Sequence, residues 1–168
     1  AANLIEDGDT VIIGSGTTCL HLAKNIKDKK SLTVVTNALD IISELHSYKN
    51  ISVILLGGVY LPNSFSLVGP FLTKIISELH VDKSFLGTDG ISPSMGTTSA
   101  DVRAAEVNRL MLQAAKERII VTDHSKIGKV SFASVVPIKE INKIIVDTGI
   151  TEEDKTAFEE SGVEVIVV

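Results

Sequence analysis

Short apolar runs rich in Ile, Val and Leu alternate along the chain with longer segments whose apolar residues recur every three or four positions. The first pattern is typical of buried strands and the second of amphipathic helices. Strands are predicted at Thr10–Ile13, Leu32–Thr36, Ser52–Leu56, Lys83–Leu86, Ile119–Thr122, Lys143–Val146 and Glu164–Val167. Helices are predicted near Thr17–Ile26, Ala38–Ser47, Gly69–Leu79, Ala100–Lys116 and Glu152–Ser161. This alternation predicts an α/β fold with a doubly wound, mostly parallel, Rossmann-like sheet flanked by helices.

Turn residues mark two connecting segments, which are predicted to be loops or lids. Val59–Ser66 contains Pro62, and Ile91–Thr98 contains Gly96. Proline and glycine at such positions interrupt regular structure. The chain has no internal repeat, low-complexity stretch or linker, so we expect a single domain over residues 1–168.

Composition narrows the classes of function open to the chain. Hydrophobic residues make up 44% of the sequence and aromatic residues only 4%, which favours a core of aliphatic side chains. The net charge of −5 and the absence of a Lys/Arg run argue against a nucleic-acid surface on this domain. The single cysteine, Cys19, excludes an internal disulfide and fits a reducing cytoplasm. No apolar stretch has the length of a membrane span, so no membrane partner is expected.

The most informative motif is the loop Gly14–Thr18 between the first predicted strand and the first predicted helix. Glycines allow a ligand to approach the backbone, the first helical N–H groups lack partners, and Ser and Thr hydroxyls add donors. The loop lacks the Gly-Lys-Ser/Thr of a Walker motif and the third glycine of a dinucleotide fingerprint. It therefore predicts a phosphate site for a small phosphorylated ligand, formed by Ser15, Gly16, Thr17 and Thr18. The alternative is an ordinary strand-to-helix turn.

Polar residues also follow the other predicted strands. In open α/β sheets, ligands bind beyond the carboxyl ends of the strands, so these residues are candidates for the rim of the same pocket, where the Asp89 carboxylate could accept hydrogen bonds from sugar hydroxyls. They are Thr36, Asn37, Gly57, Gly58, Asp89, Gly90 and Lys126. Most also have a structural reading: Asn37 as a helix cap, the Gly57-Gly58 pair as a tight turn, Asp89 as an Asx-type turn that bonds its own backbone, and Lys126 as a solvated surface residue.

The sequence contains no arrangement typical of a metal or catalytic centre. The four histidines, His21, His46, His80 and His124, do not have the spacing of metal ligands. Ser15 lacks the setting of a hydrolase nucleophile. We therefore expect no metal, no cofactor and no catalytic residue.

The order and spacing of these motifs resemble a known family. The matching segments are Ile5–Thr10, Gly14–Thr18, Leu32–Asn37, Val53–Gly58, Asp82–Ile91 and Asp123–Gly128. Together they resemble the C-terminal sensor domain of DeoR-family bacterial transcriptional regulators, over nearly the whole chain. Two positions depart from the family pattern: Gly14 replaces a frequent acidic residue, and Asn108-Arg109 replaces a frequent Lys-Arg pair.

The resemblance implies a fold similar to ribose-5-phosphate isomerase and the coenzyme A transferases. It implies the effector-sensing half of a regulator, typically a repressor of sugar catabolism, that binds a phosphorylated sugar or related metabolite. DNA binding would belong to an N-terminal winged helix-turn-helix, which we expect to lie outside this chain. The domain would form a homo-oligomer, a dimer or tetramer.

Two other functions remain open at this stage. One is an aldose–ketose phosphate isomerase with Asp89, Glu106 and Lys126 in catalytic roles, since such chemistry needs a base and a group that stabilises an enediolate. The other is a structural dimerisation domain with a vestigial pocket. An acidic cluster near Asp89 is sparser here than in the isomerases, which favours the non-enzymatic readings.

Overall fold

A computed structural model describes residues 1–168 of the protein. The fold is built on a parallel sheet. The strands of the protein are β1 (Thr10–Ile13), β2 (Leu32–Thr36), β3 (Ile51–Leu55), β4 (Val59–Leu61), β5 (Ser66–Val68), β6 (Val81–Leu86), β7 (Gly90–Ser92), β8 (Gly96–Ser99), β9 (Ala115–Val121), β10 (Ala133–Val136), β11 (Lys143–Val146) and β12 (Glu164–Val167). Seven of them form the main sheet in the order β12-β11-β9-β6-β1-β2-β3, with every neighbouring pair parallel. The predicted doubly wound parallel sheet is confirmed.

This strand order contains a topological switch point. From β1 the chain runs outward through β2 to β3, then returns to β6 on the opposite side of β1. The connection after β1 runs toward β2, whereas the connection after β6 runs in the opposite direction, toward β9. A crevice therefore opens beyond the carboxyl ends of β1 and β6. In open α/β sheets this crevice is the usual ligand site.

The helices cover both faces of the sheet. They are α1 (Thr17–Lys24), α2 (Leu39–Leu45), α3 (Pro70–Ile76), α4 (Val102–Gln113) and α5 (Glu152–Glu160). Side chains of α1 and α2 pack in one core cluster, and those of α3, α4 and α5 pack in the other. The strands are aliphatic on both faces because each face is buried. No helix has both the length and the apolar character needed to span a membrane.

The segments predicted as loops are hairpins. Within Val59–Ser66 the chain forms β4 and the start of β5, an antiparallel pair, and within Ile91–Thr98 it forms β7 and β8. β8 also pairs with β10, a strand that the periodicity did not predict. These strands have only three or four residues, which is too short for an alternation of polar and apolar positions to stand out.

The fourth helix is shorter than predicted. It begins at Val102, where the Asp101 side chain accepts hydrogen bonds from the Arg103 and Ala104 amides at 2.8 and 3.4 Å, and it ends at Gln113. The predicted end at Lys116 is wrong because β9 already begins at Ala115, which pairs with β6. Strand pairing across the sheet overrides the local helical preference of these residues.

Candidate functional site

A cleft lies at the switch point, between the loop after β1 and the loop after β6. The two loops are in close contact, since a side chain added at Gly87 would lie 3.5 Å from the Ser15 carbonyl oxygen. The cleft has a volume of about 270 Å³. Its walls include Ser15, Gly16, Thr17, Thr18, Asn63, Ser64, Gly87, Thr88, Asp89, Ser99, Ala104, Asn108, Thr122, Asp123 and Lys126. The lining is thus mostly polar, as a hydroxylated or charged ligand requires.

The floor of the cleft is the N-terminus of α1. Gly16 precedes the helix with φ of 114° and ψ of 160°, a conformation that glycine adopts without strain. No side chain caps the helix at this end, and Thr17 and Thr18 are exposed to the cleft. Uncapped N–H groups and the positive end of the helix dipole together favour an anion. All four residues predicted to bind phosphate therefore line the cleft; their contact with phosphate stays a prediction.

Gly14 lies buried, directly after β1. A side chain there would meet Leu86 Cδ2 at 2.6 Å, so Leu86 would have to move to make room. The backbone N–H of Gly14 instead donates to the Phe85 carbonyl at 3.0 Å. Next to this turn, burial raises the pKa of the Cys19 thiol to about 12, so Cys19 is an inert, protonated part of the core.

Asp89 is held at the opposite wall by the β8–α4 connection. Its Oδ2 accepts hydrogen bonds from Ser99 Oγ at 3.1 Å and from the Ala100 amide at 2.8 Å. Its own amide donates to the Thr98 carbonyl at 3.2 Å. These bonds fix one carboxylate oxygen to the neighbouring hairpin and leave Oδ1 free to accept hydrogen bonds from a ligand hydroxyl.

The third wall is the 3₁₀ turn His124–Lys126 after β9. Asp123 caps this turn by accepting the Ser125 amide at 2.9 Å, and hydrogen bonds from Ser125 lower the pKa of the Asp123 carboxyl. Lys126 lies on the same turn and takes part in none of the ion pairs of the protein. It is the one cationic side chain among the lining residues, so the cleft pairs a single free ammonium group with two carboxylates.

A carboxylate outside the cleft, that of Asp147, holds this turn in place. Asp147, at the end of β11, accepts hydrogen bonds from the His124 amide at 3.3 Å, from His124 Nδ1 at 2.8 Å and from the Gly149 amide at 2.8 Å. The Gly149 amide is the main cause of the lowered pKa of Asp147, and the bonds from His124 add to it. Asp147 therefore positions Lys126 without touching the cleft.

We expect Asp147→Ala to weaken ligand binding about two- to tenfold, because the turn that carries Lys126 loses its hydrogen bonds. Isothermal titration of both proteins measures the effect, with Glu78→Ala as a control that removes an exposed carboxylate elsewhere. The pKa of Asp147 in the folded protein lies below its usual 3.8. Its contribution to stability is thus fully present above that pH and is lost only as the pH falls below it. Equal affinities for wild type and variant would contradict the positioning role.

Five residues predicted for the sugar end are not brought to the cleft: Thr36, Asn37, Gly57, Gly58 and Gly90. The β4–β5 hairpin pairs with the residues that follow β2, since Ser66 forms a bridge with Ala38. Asn37 binds this hairpin, donating from Nδ2 to the Leu67 carbonyl at 2.8 Å, and its Oδ1 is buried without a partner. At Gly58 an added side chain would lie 2.4 Å from the Val68 carbonyl oxygen, and at Gly90 2.5 Å from that of Lys129. These two glycines therefore allow close backbone packing.

Several lining residues were not predicted as site residues. Asn63 and Ser64 come from the tip of the β4–β5 hairpin, Asn108 from α4, and Thr88 and Ser99 from the β6–β8 region. Pro62 led us to predict a loop or lid at Val59–Ser66, but nothing in the local sequence indicates which part of the protein this segment contacts. Glu106, considered for a catalytic role, is exposed on α4 and does not line the cleft.

Comparison with known proteins identifies the family that the chain is similar to. A model of the DeoR C terminal sensor domain matches residues 1–148. The chain is 33% identical to the HTH-type transcriptional regulator GolR of Listeria innocua over 165 residues, which cover 98% of this chain and 65% of GolR. It is 36% identical to the transcriptional repressor AccR of Agrobacterium fabrum, covering 88% of this chain and 58% of AccR. It is 34% identical to the lactose phosphotransferase system repressor of Staphylococcus epidermidis, covering 99% and 65% respectively.

The chain spans about 58–65% of the length of these relatives. Among solved structures, ribose 5-phosphate isomerase a of Methanocaldococcus jannaschii superimposes with a TM-score of 0.53 at 15% identity, over 75% of this chain and 49% of the isomerase. A likeness at this level of identity concerns the fold alone.

Proposed function

This chain belongs to the family of DeoR C-terminal sensor domains, and from that premise we propose that it senses a phosphorylated sugar or a related metabolite for a transcriptional repressor. The regulator would control genes of sugar catabolism in the cytoplasm. DNA would be bound by a separate N-terminal domain, and ligand would alter the arrangement of a homo-oligomer. A ligand changes such an equilibrium only through different affinities for the two arrangements.

The observation that carries this proposal is that one cleft combines groups that suit a phosphate with groups that suit hydroxyls. The uncapped N-terminus of α1 and the free ammonium group of Lys126 suit a phosphate. Asp89 and Asn108 on the opposite wall suit hydroxyl groups. The name of the lactose phosphotransferase system repressor connects a relative with carbohydrate uptake, in agreement with a sugar ligand.

We propose that the cleft binds its ligand without converting it. The curated relatives described above are regulators and repressors by name. Isomerase chemistry needs a base beside the substrate carbon and a group that stabilises the enediolate. Of the three residues considered for these roles, Glu106 is directed to solvent and does not line the cleft. A coupled isomerase assay with ribose 5-phosphate tests this directly. Turnover that disappears in Asp89→Asn would overturn the non-catalytic proposal.

A thermal-shift panel tests the sensing function. It compares ribose 5-phosphate, glucose 6-phosphate, fructose 6-phosphate and other sugar phosphates with their unphosphorylated sugars and with inorganic phosphate. Ligand at 100 times its dissociation constant stabilises the folded state by about 2.7 kcal/mol, which raises Tm by about 5–10 °C in a domain of this size. We expect at least one sugar phosphate, but not its parent sugar, to give such a shift.

A uniform absence of shifts would favour a structural domain with a vestigial pocket instead. A positive panel leads to a second measurement on the full-length regulator. There we expect the same sugar phosphate to change the affinity for operator DNA. Operator binding that ignores a ligand bound by this domain would contradict the regulatory part of the proposal.

A further inference from the structure

A second cavity, which we call the groove, adjoins the cleft. It has a volume of about 460 Å³, and its lining is more apolar than that of the cleft. Thr18, Thr122 and Asp123 line both cavities. The two cavities therefore share part of their walls, and a ligand that contacts these residues in the cleft also contacts residues of the groove.

One stripe of α1 lines the groove. It consists of Thr18, His21, Leu22 and the helix cap Asn25, whose spacing of three and four residues places them on a single side of the helix. Thr18 belongs to the first turn of α1, where we propose that the phosphate binds. Because a helix moves as a rigid element, this stripe connects the phosphate end of the cleft with the groove.

The beginning of the chain forms another wall of the groove. Residues 1–4, which we call the N-terminal segment, contribute Ala1, Ala2 and Asn3 to the lining, and residues 2–4 form a short 3₁₀ turn. The hydrogen bonds of this turn run from the Leu4 amide to the Ala1 carbonyl at 2.9 Å and from the Ile5 amide to the Ala2 carbonyl at 3.3 Å. Apart from them, the segment is held by packing of Ala1, Ala2 and Leu4 against the core beside α1.

Ile5 fixes the point at which the N-terminal segment joins the domain. Its side chain is fully buried, and its carbonyl accepts a hydrogen bond from Lys29 Nζ. Apolar packing is non-directional, so the residues before Ile5 can shift against α1 without losing a hydrogen bond to the rest of the domain. The groove supplies the space for this shift.

The turn that carries Lys126 also reaches the groove. Asp147, which holds this turn through His124, is one of the residues that line the groove. Two elements that we propose contact the phosphate, α1 and the Lys126 turn, are thus connected with the groove by separate contacts.

We propose that the groove transmits ligand binding from the cleft to the N-terminal segment. A phosphate that binds Thr18 and Lys126 would change the positions of the groove walls, and the N-terminal segment would repack against them. This inference rests on the proposed function, in which a DNA-binding domain precedes residue 1. The segment would then be the part of the sensor domain joined to it, and repacking would change the affinities of the regulator for ligand and for DNA reciprocally.

A fluorescent label on the N-terminal segment tests the first step. Asn3 is exposed, so Asn3→Cys provides a thiol for a bimane label, whereas the buried Cys19 does not react. Glu160→Cys is the matched control, since Glu160 is exposed at the end of α5 and lines neither cavity. Both proteins are titrated with ribose 5-phosphate, glucose 6-phosphate and fructose 6-phosphate. We expect the emission at residue 3 to follow the binding curve measured by calorimetry, and the emission at residue 160 to stay constant.

His21→Ala tests whether α1 carries the coupling. His21 is exposed and lines the groove but not the cleft, and His46→Ala is the control because His46 is exposed and lines neither. We expect both variants of the 168-residue chain to bind the sugar phosphate as tightly as wild type. In the full-length regulator, His21→Ala should reduce the ligand-induced change in operator affinity by about two- to thirtyfold, whereas His46→Ala should preserve it.

Each other result overturns the coupling. Calorimetric binding with a silent label at residue 3 would leave the sensing function intact and exclude transmission through the groove. Equal responses at residues 3 and 160 would mean that ligand changes the whole domain. Equal operator responses in His21→Ala and His46→Ala would exclude α1 as the route. If none of the three sugar phosphates, nor any other in the thermal-shift panel, binds the chain, the proposed function fails and the coupling fails with it.

Discussion

Replacing Lys126 with alanine is expected to weaken binding of a sugar phosphate by about tenfold or more. Lys126 is the single cationic side chain that lines the cleft, and none of the ion pairs of the protein engages it. A hydrogen bond to a charged group contributes about 1.5–3 kcal/mol, and the ammonium group would supply such a bond to phosphate. Stability should change by less than about 0.5 kcal/mol, because the side chain is not part of the core.

Isothermal titration with the sugar phosphate that gives the largest thermal shift measures the loss. Lys129→Ala is the matched control, since it removes the same charge three residues along the chain but outside the cleft. We expect its affinity to stay within about twofold of wild type, because screened charges outside a site contribute little. If Lys126→Ala binds as tightly as Lys129→Ala, the phosphate is held by the helix N-terminus alone.

Gly96→Ala is expected to give the largest loss of stability, about 2–5 kcal/mol. Gly96 begins β8 with φ of +69°, and a left-handed conformation costs an L-residue about 1–2 kcal/mol. An added Cβ would also lie 2.1 Å from the Val136 carbonyl oxygen, and relieving this overlap costs about 1–3 kcal/mol more. Because β8 leads to Ser99, which holds Asp89, we also expect weaker ligand binding.

Gly128→Ala separates the two causes of this loss. Its φ of +73° is nearly the same as that of Gly96, but an added Cβ would have no atom within 4 Å. We therefore expect it to lower the free energy of unfolding by only about 1–2 kcal/mol. Urea unfolding of the two variants beside wild type gives the comparison. Equal losses would mean that the chain around Val136 moves aside without cost.

The sequence by itself determined the main sheet and identified the loop at its centre that we propose binds a phosphate. Short apolar runs rich in Ile and Val identified all seven strands of the sheet to within a few residues, because a sheet covered by helices on both faces buries most of its strand residues. The loop Gly14–Thr18 was identifiable because its glycines and hydroxyl residues act locally, at one strand end and one helix start. Asp89 and Lys126, which follow the strands β6 and β9, were found by the same reasoning and do line the cleft.

The tertiary structure decided which strand ends share the cleft. β1 and β6 are neighbours although more than sixty residues separate them in the chain, and this pairing depends on the order of strands rather than on local preference. The three-residue strands β4 and β5 are stabilised by each other and by Asn37, so their sequence alone resembles a loop. Their hairpin contributes Asn63 and Ser64 to the cleft, whereas no residue at the ends of β2 and β3 lines it. Contacts of this kind depend on residues distant in sequence, which local patterns do not encode.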